Sequence, residues 1–129
     1  MIQSINNIGI AVRDLERSIV FYEKLGFQVQ DRDEETPAAS LQAGHAWLYI
    51  FQTSSRELAA SRAPELVQNP PGIDHISFDV PDVDEFYDRL KDELTFEVEP
   101  ADQSWGARAV SLLDPDGNRL YFLSPLKGA

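Results

Sequence analysis

Hydrophobic and polar positions alternate in the same way at two places in the chain, 68 residues apart. In the first, Ile8, Ile10 and Val12 interleave with Asn7, Gly9 and Ala11; in the second, Ile76, Phe78 and Val80 interleave with His75, Ser77 and Asp79. Alternation with a period of two predicts a strand that buries one face, so the small and polar set lies on the other. After each strand the period lengthens. Asp14 precedes Leu15, Ile19, Tyr22 and Leu25, and Asp82 precedes Val83, Phe86, Tyr87, Leu90 and Leu94. Spacings of three and four behind an aspartate predict two N-capped amphipathic helices.

Gly26 ends the first helix, and Phe27-Gln28-Val29 starts a strand, as Thr95 to Val98 does in the second half. Two more strands close each half: Ala39 to Gln42 with Ala46 to Phe51, and Ala109 to Leu113 with Arg119 to Leu123. The last pair is joined by Asp114-Pro115-Asp116-Gly117-Asn118. Its proline presets φ, its glycine supplies a positive φ, and its Asp and Asn side chains bond nearby backbone, so it reads as a tight turn. In the strand after it, Leu120 and Phe122 share one face, and Arg119, Tyr121 and Leu123 the other. The predicted fold class is α+β, a β-α-β-β-β module occurring twice in tandem. The modules span about residues 1–52 and 73–127. Residues 53–72 read as a linker with a helical turn or two around Glu57 to Arg62. Phe21, Tyr22, Phe78, Phe86 and Phe96 are assigned to the core.

Composition narrows the chemistry. The 129 residues include no cysteine, which removes disulfides, thiolate metal sites and thiol nucleophiles. Twenty-two acidic residues against 11 basic ones give a net charge of −11, the wrong balance for nucleic acid, which calls for clustered Lys and Arg. The sequence has no basic segment leading into an apolar run and no stretch of about 18 apolar residues, so a soluble cytoplasmic protein without a membrane role is expected.

Several pieces in one order carry a family resemblance. They are Ile8-Gly9-Ile10-Ala11-Val12-Arg13-Asp14-Leu15-Glu16-Arg17-Ser18, Phe21-Tyr22, Leu25-Gly26-Phe27, Trp105-Gly106-Ala107-Arg108, and the Asp114 to Asn118 turn. Together they resemble the vicinal oxygen chelate superfamily, which includes glyoxalase I, bleomycin-resistance proteins, fosfomycin-resistance enzymes and extradiol dioxygenases. The resemblance implies two βαβββ modules curled into an open barrel around a ligand cleft, related by pseudo-twofold symmetry. It also implies a homodimer, which the exposed sheet edges favour independently. In metal-dependent members the ligands come from four strand positions. These fall on Asn7, Tyr49, His75 and Tyr121, where the family pattern has His or Gln, Glu or His, His, and Glu. Only His75 keeps the pattern. One imidazole, a carboxamide and two phenols do not supply the three His or carboxylate ligands a divalent ion needs, so neither a metal nor another cofactor is expected.

Candidate chemistry then rests on the predicted cleft. Trp47, Tyr49 and Phe51 share a strand face, and Trp105 lies in the loop leading to Arg108. With Asn7, His75 and Tyr121, these rings either line a partly apolar small-molecule site or fill the barrel; Gly9, Ala11 and Ser77 favour a site, because small residues leave volume. His75 is either a general base or ligand partner, or a structural histidine bonded to a neighbouring tyrosine. His45 belongs to a hairpin turn. Arg108 either clamps a ligand carboxylate or carbonyl, or bridges Asp114 or Asp116; Arg119 is assigned to the surface. Three functions follow: a metal-free binding protein for a small aromatic or cationic compound, a metal-dependent lyase, isomerase or dioxygenase, and a metal-independent enzyme using Tyr49, His75 or Tyr121 as acid and base.

Overall fold

The computed structural model describes residues 1–59 and 62–127. The chain divides into two units, Met1–Glu57 and Leu58–Ala129, and each holds one four-stranded sheet. In the first unit β1 (Ile8–Val12) is followed by α1 (Leu15–Lys24), β2 (Gln28–Asp33), β3 (Ala38–Ala43) and β4 (Ala46–Gln52). In the second, β5 (His75–Asp79) is followed by α2 (Val83–Leu90), β6 (Ala101–Asp102), β7 (Arg108–Leu113) and β8 (Arg119–Ser124). The sheet orders are β1-β4-β3-β2 and β5-β8-β7-β6, so in both the first strand returns to lie parallel beside the last. This is the predicted βαβββ module, built twice.

Local signals in the sequence set these elements. Asp14 Oδ1 accepts from Arg17 N at 3.1 Å, and Asp82 Oδ1 accepts from Asp84 N at 2.9 Å and Glu85 N at 3.1 Å, so both helices start where an aspartate satisfies free N–H groups. The Asp114 turn works as its residues suggest. Asp114 Oδ1 accepts from Asp116 N and Asn118 N at 2.9 and 2.8 Å, Oδ2 accepts from Asn118 Nδ2 at 2.9 Å, and Gly117 takes φ +88°.

Each helix covers one face of its own sheet. In the first unit Leu15, Ile19 and Tyr22 of α1 are buried, as are Ile10, Val12, Leu41, Leu48 and Ile50 of the strands. Tyr22 meets Phe21 and Phe27 edge to face, with ring centroids 5.0 and 5.8 Å apart. In the second unit Phe86 of α2 stacks on Phe122 at 4.4 Å, Phe122 stacks on Phe78 at 5.7 Å, and Phe96 sits against Phe86 and Tyr87. Of the rings assigned to the core, Tyr22 is fully buried, while Phe21, Phe78, Phe86 and Phe96 are half-buried, with Phe86 and Phe78 both stacked on the buried Phe122.

Three expectations are corrected. The second helix stops at Leu90, and Leu94 joins it only through a bond from its N–H to the Leu90 carbonyl. Residues 95–98 do not form a strand; only Phe96 bridges to Leu112, and regular pairing resumes at Ala101 with Ala109. Between those two points this segment is two residues longer than the one it faces, and it contains Pro100, which has no N–H to give a ladder. The backbone bulges there, carrying Glu97 to Glu99 out of strand register. Finally, residues 57–59 and 62 are not helical, while Ala60 and Ser61 of the expected helical turn lie outside the described residues; the short 3-10 turn in this region is Leu66–Gln68.

Candidate functional site

Alternation places the chemistry. Because Ile76, Phe78, Leu120 and Phe122 turn towards α2, His75, Ser77, Arg119, Tyr121 and Leu123 must occupy the other face of the second sheet. There they line a pocket of about 690 Å³, within the size range of small-molecule sites. Tyr121 pairs across the sheet with Ser77 on one side and Ser111 on the other, so small neighbours flank the phenol ring. In the first sheet Tyr49 is flanked in the same way by Gly9 and Ser40. The bulge supplies one wall of the pocket through Glu97, Val98 and Glu99.

The floor holds an ion pair. Arg119 donates through Nε and Nη2 to the two Glu97 oxygens at 2.9 and 2.7 Å, and through Nη1 to the carbonyl of Arg62. Ser111 Oγ donates to Glu97 Oε1 at 3.0 Å. The guanidinium is 5% exposed and the carboxylate 25%. The Arg119 hydrogen bonds hold the Glu97 carboxyl below its ordinary range, and Glu97 in turn raises Arg119, so both stay charged. Arg119 is thus a buried member of the site and not the surface residue expected.

His75 is held from behind. Its Nδ1 lies 2.7 Å from Asp74 Oδ1, and Asp74 Oδ2 accepts from Asn69 Nδ2, also at 2.7 Å. Asn69 is itself clamped to Ala63, accepting from its N–H at 2.7 Å and donating to its carbonyl at 2.9 Å. The His75 hydrogen bond lowers the Asp74 pKa, which keeps that carboxylate ionised. On the pocket side the His75 ring meets Tyr121 edge-on, with centroids 4.7 Å apart and planes at 74°. Burial raises the Tyr121 pKa, so its hydroxyl remains protonated at neutral pH.

Of the residues singled out from the sequence, His75, Tyr121 and Trp105 meet at this pocket. Trp105, 61% exposed, is presented by a turn in which Gln103 N donates to Ala107 O at 2.7 Å and Gly106 adopts φ +105°. Arg108 takes no part in the pocket and bridges neither Asp114 nor Asp116. It grips Asp84 of α2 at 2.8 and 2.9 Å and reaches Asp102 at 3.3 Å, because β7 turns Ala109 and Ser111 to the pocket and Arg108 to the helix. Asn7, Trp47 and Tyr49 belong to the first unit. There Asn7 bonds Asn6, while Trp47, Tyr49 and Phe51 form an exposed row on β4, with the Tyr49 and Phe51 rings 6.0 Å apart. His45 lies exposed in the β3–β4 turn. Sequence reasoning missed Asn69, Asp74, Glu97, Ser111 and Arg119. The one local signal available was the Asp74-His75 doublet opening a strand. Among the described residues no group of three His, Asp or Glu side chains is arranged to hold a metal ion.

The family model for the glyoxalase/bleomycin resistance protein/dioxygenase superfamily matches residues 4–122. The chain belongs to this superfamily. Solved structures share its fold. A glyoxalase/bleomycin resistance protein/dioxygenase from Nocardioides has a TM-score of 0.75 at 21% identity, covering 100% of this chain and 87% of that one. A domain of the same description from Frankia has a TM-score of 0.77 at 20% identity, covering 100% and 96%. The fosfomycin resistance protein FosX of Listeria monocytogenes reaches 0.75 at 18% identity, covering 98% and 94%. No curated protein matches the sequence. At these identities the likeness speaks for the superfamily fold, and the chemistry of this member rests on its own side chains.

Proposed function

We propose that this member of the superfamily binds a small aromatic or cationic organic compound in the pocket of the second unit, and does so without the family's metal ion. The observation that carries the reading is the pocket of about 690 Å³ with Tyr121 and His75 on one wall and Trp105 at its rim. Ring faces at wall and rim suit a flat ring or an organic cation, and a chain charged −11 draws cations towards it. The donor set argues against a metal. Of the positions that hold it in metal-dependent members, Asn7 is a neutral amide and Tyr49 and Tyr121 are phenols. Tyr121 is kept protonated by burial, which leaves His75 as the one ordinary ligand among the four positions. We also propose a cytoplasmic homodimer. No helix among the described residues is long and apolar enough to cross a membrane.

A thermal-shift screen with aromatic amines, quaternary ammonium compounds, Mn²⁺, Ni²⁺ and Zn²⁺ tests the reading. Aromatic or cationic compounds are expected to raise Tm and to quench tryptophan fluorescence, with the quenching lost in Trp105→Ala. An increase of several degrees with stoichiometric metal that disappears in His75→Ala would overturn the metal-free reading. Failure of every organic probe to stabilise the protein would overturn the binding one.

A further inference from the structure

His75 is the polar wall residue whose two ring nitrogens are treated differently. Nδ1 faces Asp74 at 2.7 Å, an ionised carboxylate that can only accept, so the proton of the neutral imidazole sits on Nδ1. Nε2 is left with its lone pair, and among the described residues it has no hydrogen-bond partner. Such an arrangement is costly to produce by chance. Asp74 is fixed through its second oxygen by Asn69 Nδ2 at 2.7 Å, and Asn69 is fixed by two hydrogen bonds to the backbone of Ala63. The segment before β5, which reads in the sequence as a linker, therefore serves to aim one imidazole. The Tyr121 ring, its centroid 4.7 Å from that of His75, carries a hydroxyl that burial holds protonated, so the pocket lining offers a donor as well as an acceptor.

We propose that Asn69 and Asp74 are positioning residues that lock His75 in its Nδ1–H tautomer, and that the pocket accordingly selects aromatic ligands bearing a hydroxyl or N–H group to donate to Nε2. This rests on the pocket being the binding site. It adds the ligand's functional group and the residues that impose it. An apolar ring of the same size leaves Nε2 desolvated and unsatisfied, and that penalty is the source of the discrimination. A ligand carbonyl or ether oxygen next to the donor gains further from Tyr121.

The test uses 1-naphthol and 1-methoxynaphthalene, which have the same ring system but differ in the donor, titrated calorimetrically into the full chain at mildly alkaline pH. Wild type is expected to prefer the naphthol about tenfold. Asp74→Ala and Asn69→Ala are expected to reduce the preference, and His75→Phe to abolish it. Nitrogen-15 shifts of His75, read without ligand, give an independent measure. Wild type is expected to show protonated Nδ1 and bare Nε2, and Asp74→Ala a mixture of tautomers, a change that loss of packing alone does not produce. Equal binding of the two probes by wild type, or a proton on Nε2 in the free protein, would overturn the tautomer lock while leaving the pocket reading intact. Binding of neither probe would overturn the pocket reading and this inference with it.

Discussion

Removing the Glu97 carboxylate from beneath Arg119 is the sharpest test of how the pocket floor is built. In Glu97→Gln the guanidinium, 5% exposed, keeps its charge but loses a two-pronged anionic partner, and Ser111 Oγ loses an ionised acceptor. Breaking a pair sealed from water costs roughly 3–5 kcal/mol. Here the carboxylate is a quarter exposed and the Arg62 carbonyl still receives Nη1, so the expected loss is smaller, about 2 kcal/mol. For a chain of this length that corresponds to roughly 8 °C in Tm. Thermal and urea unfolding followed by circular dichroism measures it. The double substitution Glu97→Leu with Arg119→Met should recover most of the loss, because apolar groups of similar volume carry no desolvation penalty, and should come within about 1 kcal/mol of wild type. The pH dependence has a definite sign. Since Glu97 has a lowered pKa in the folded protein, its contribution is present above the ordinary carboxylate range and fades as pH falls through the lowered value. The acid limb of the wild-type stability curve should therefore flatten in the double variant. A Glu97→Gln protein within about 0.5 kcal/mol of wild type, at the level of an exposed pair, would refute the claim that this pair is structurally committed.

Other substitutions probe separate features. Ser18 is 1% exposed on α1 and its hydroxyl has no partner among the described residues, so Ser18→Ala should stabilise the protein by about 1 kcal/mol, seen as an increase in urea midpoint. Gly117 has φ +88°, a conformation that strains any side chain, so Gly117→Ala should lower stability by about 1–2 kcal/mol even though its added Cβ meets nothing within 4 Å. Arg108 and Lys127 hold the Asp84 carboxyl well below its ordinary range, with the Arg108 bonds the larger cause. Their contribution should be complete at neutral pH and decline as pH falls below about 4, and Arg108→Met should lose that acid-dependent portion of Tm without changing ligand affinity.

Much of the architecture was legible before any coordinates, because it is dictated by neighbours in sequence. The two alternating segments 68 residues apart could bury only one face each, which assigns His75 and Ser77 to the face opposite α2, and the same alternation in the strand after the Asp114 turn assigns Tyr121 to it. Asp14, Asp82 and the Asp114 to Asn118 turn act on N–H groups within four residues of themselves, so they function the same way wherever the element is placed. The helix-facing rings follow from spacings of three and four.

The pairing of charges was not legible. Arg119 and Glu97 lie 22 residues apart, and Arg108 and Asp84 lie 24 apart. Which cation meets which anion depends on strand register and on where the bulge at Pro100 carries the backbone. In a chain with twice as many acidic as basic residues, every arginine has several plausible partners, and charge alone does not choose among them. The same holds for Asn69: nothing in its own surroundings connects it to His75, and only the path of the chain before β5 brings its amide to the carboxylate that orients the imidazole. Periodicity thus determined which face each side chain takes. The long-range placement of backbone decided which of those side chains touch, because a hydrogen bond extends about 3 Å and an error of one residue in register moves its partner to the opposite face.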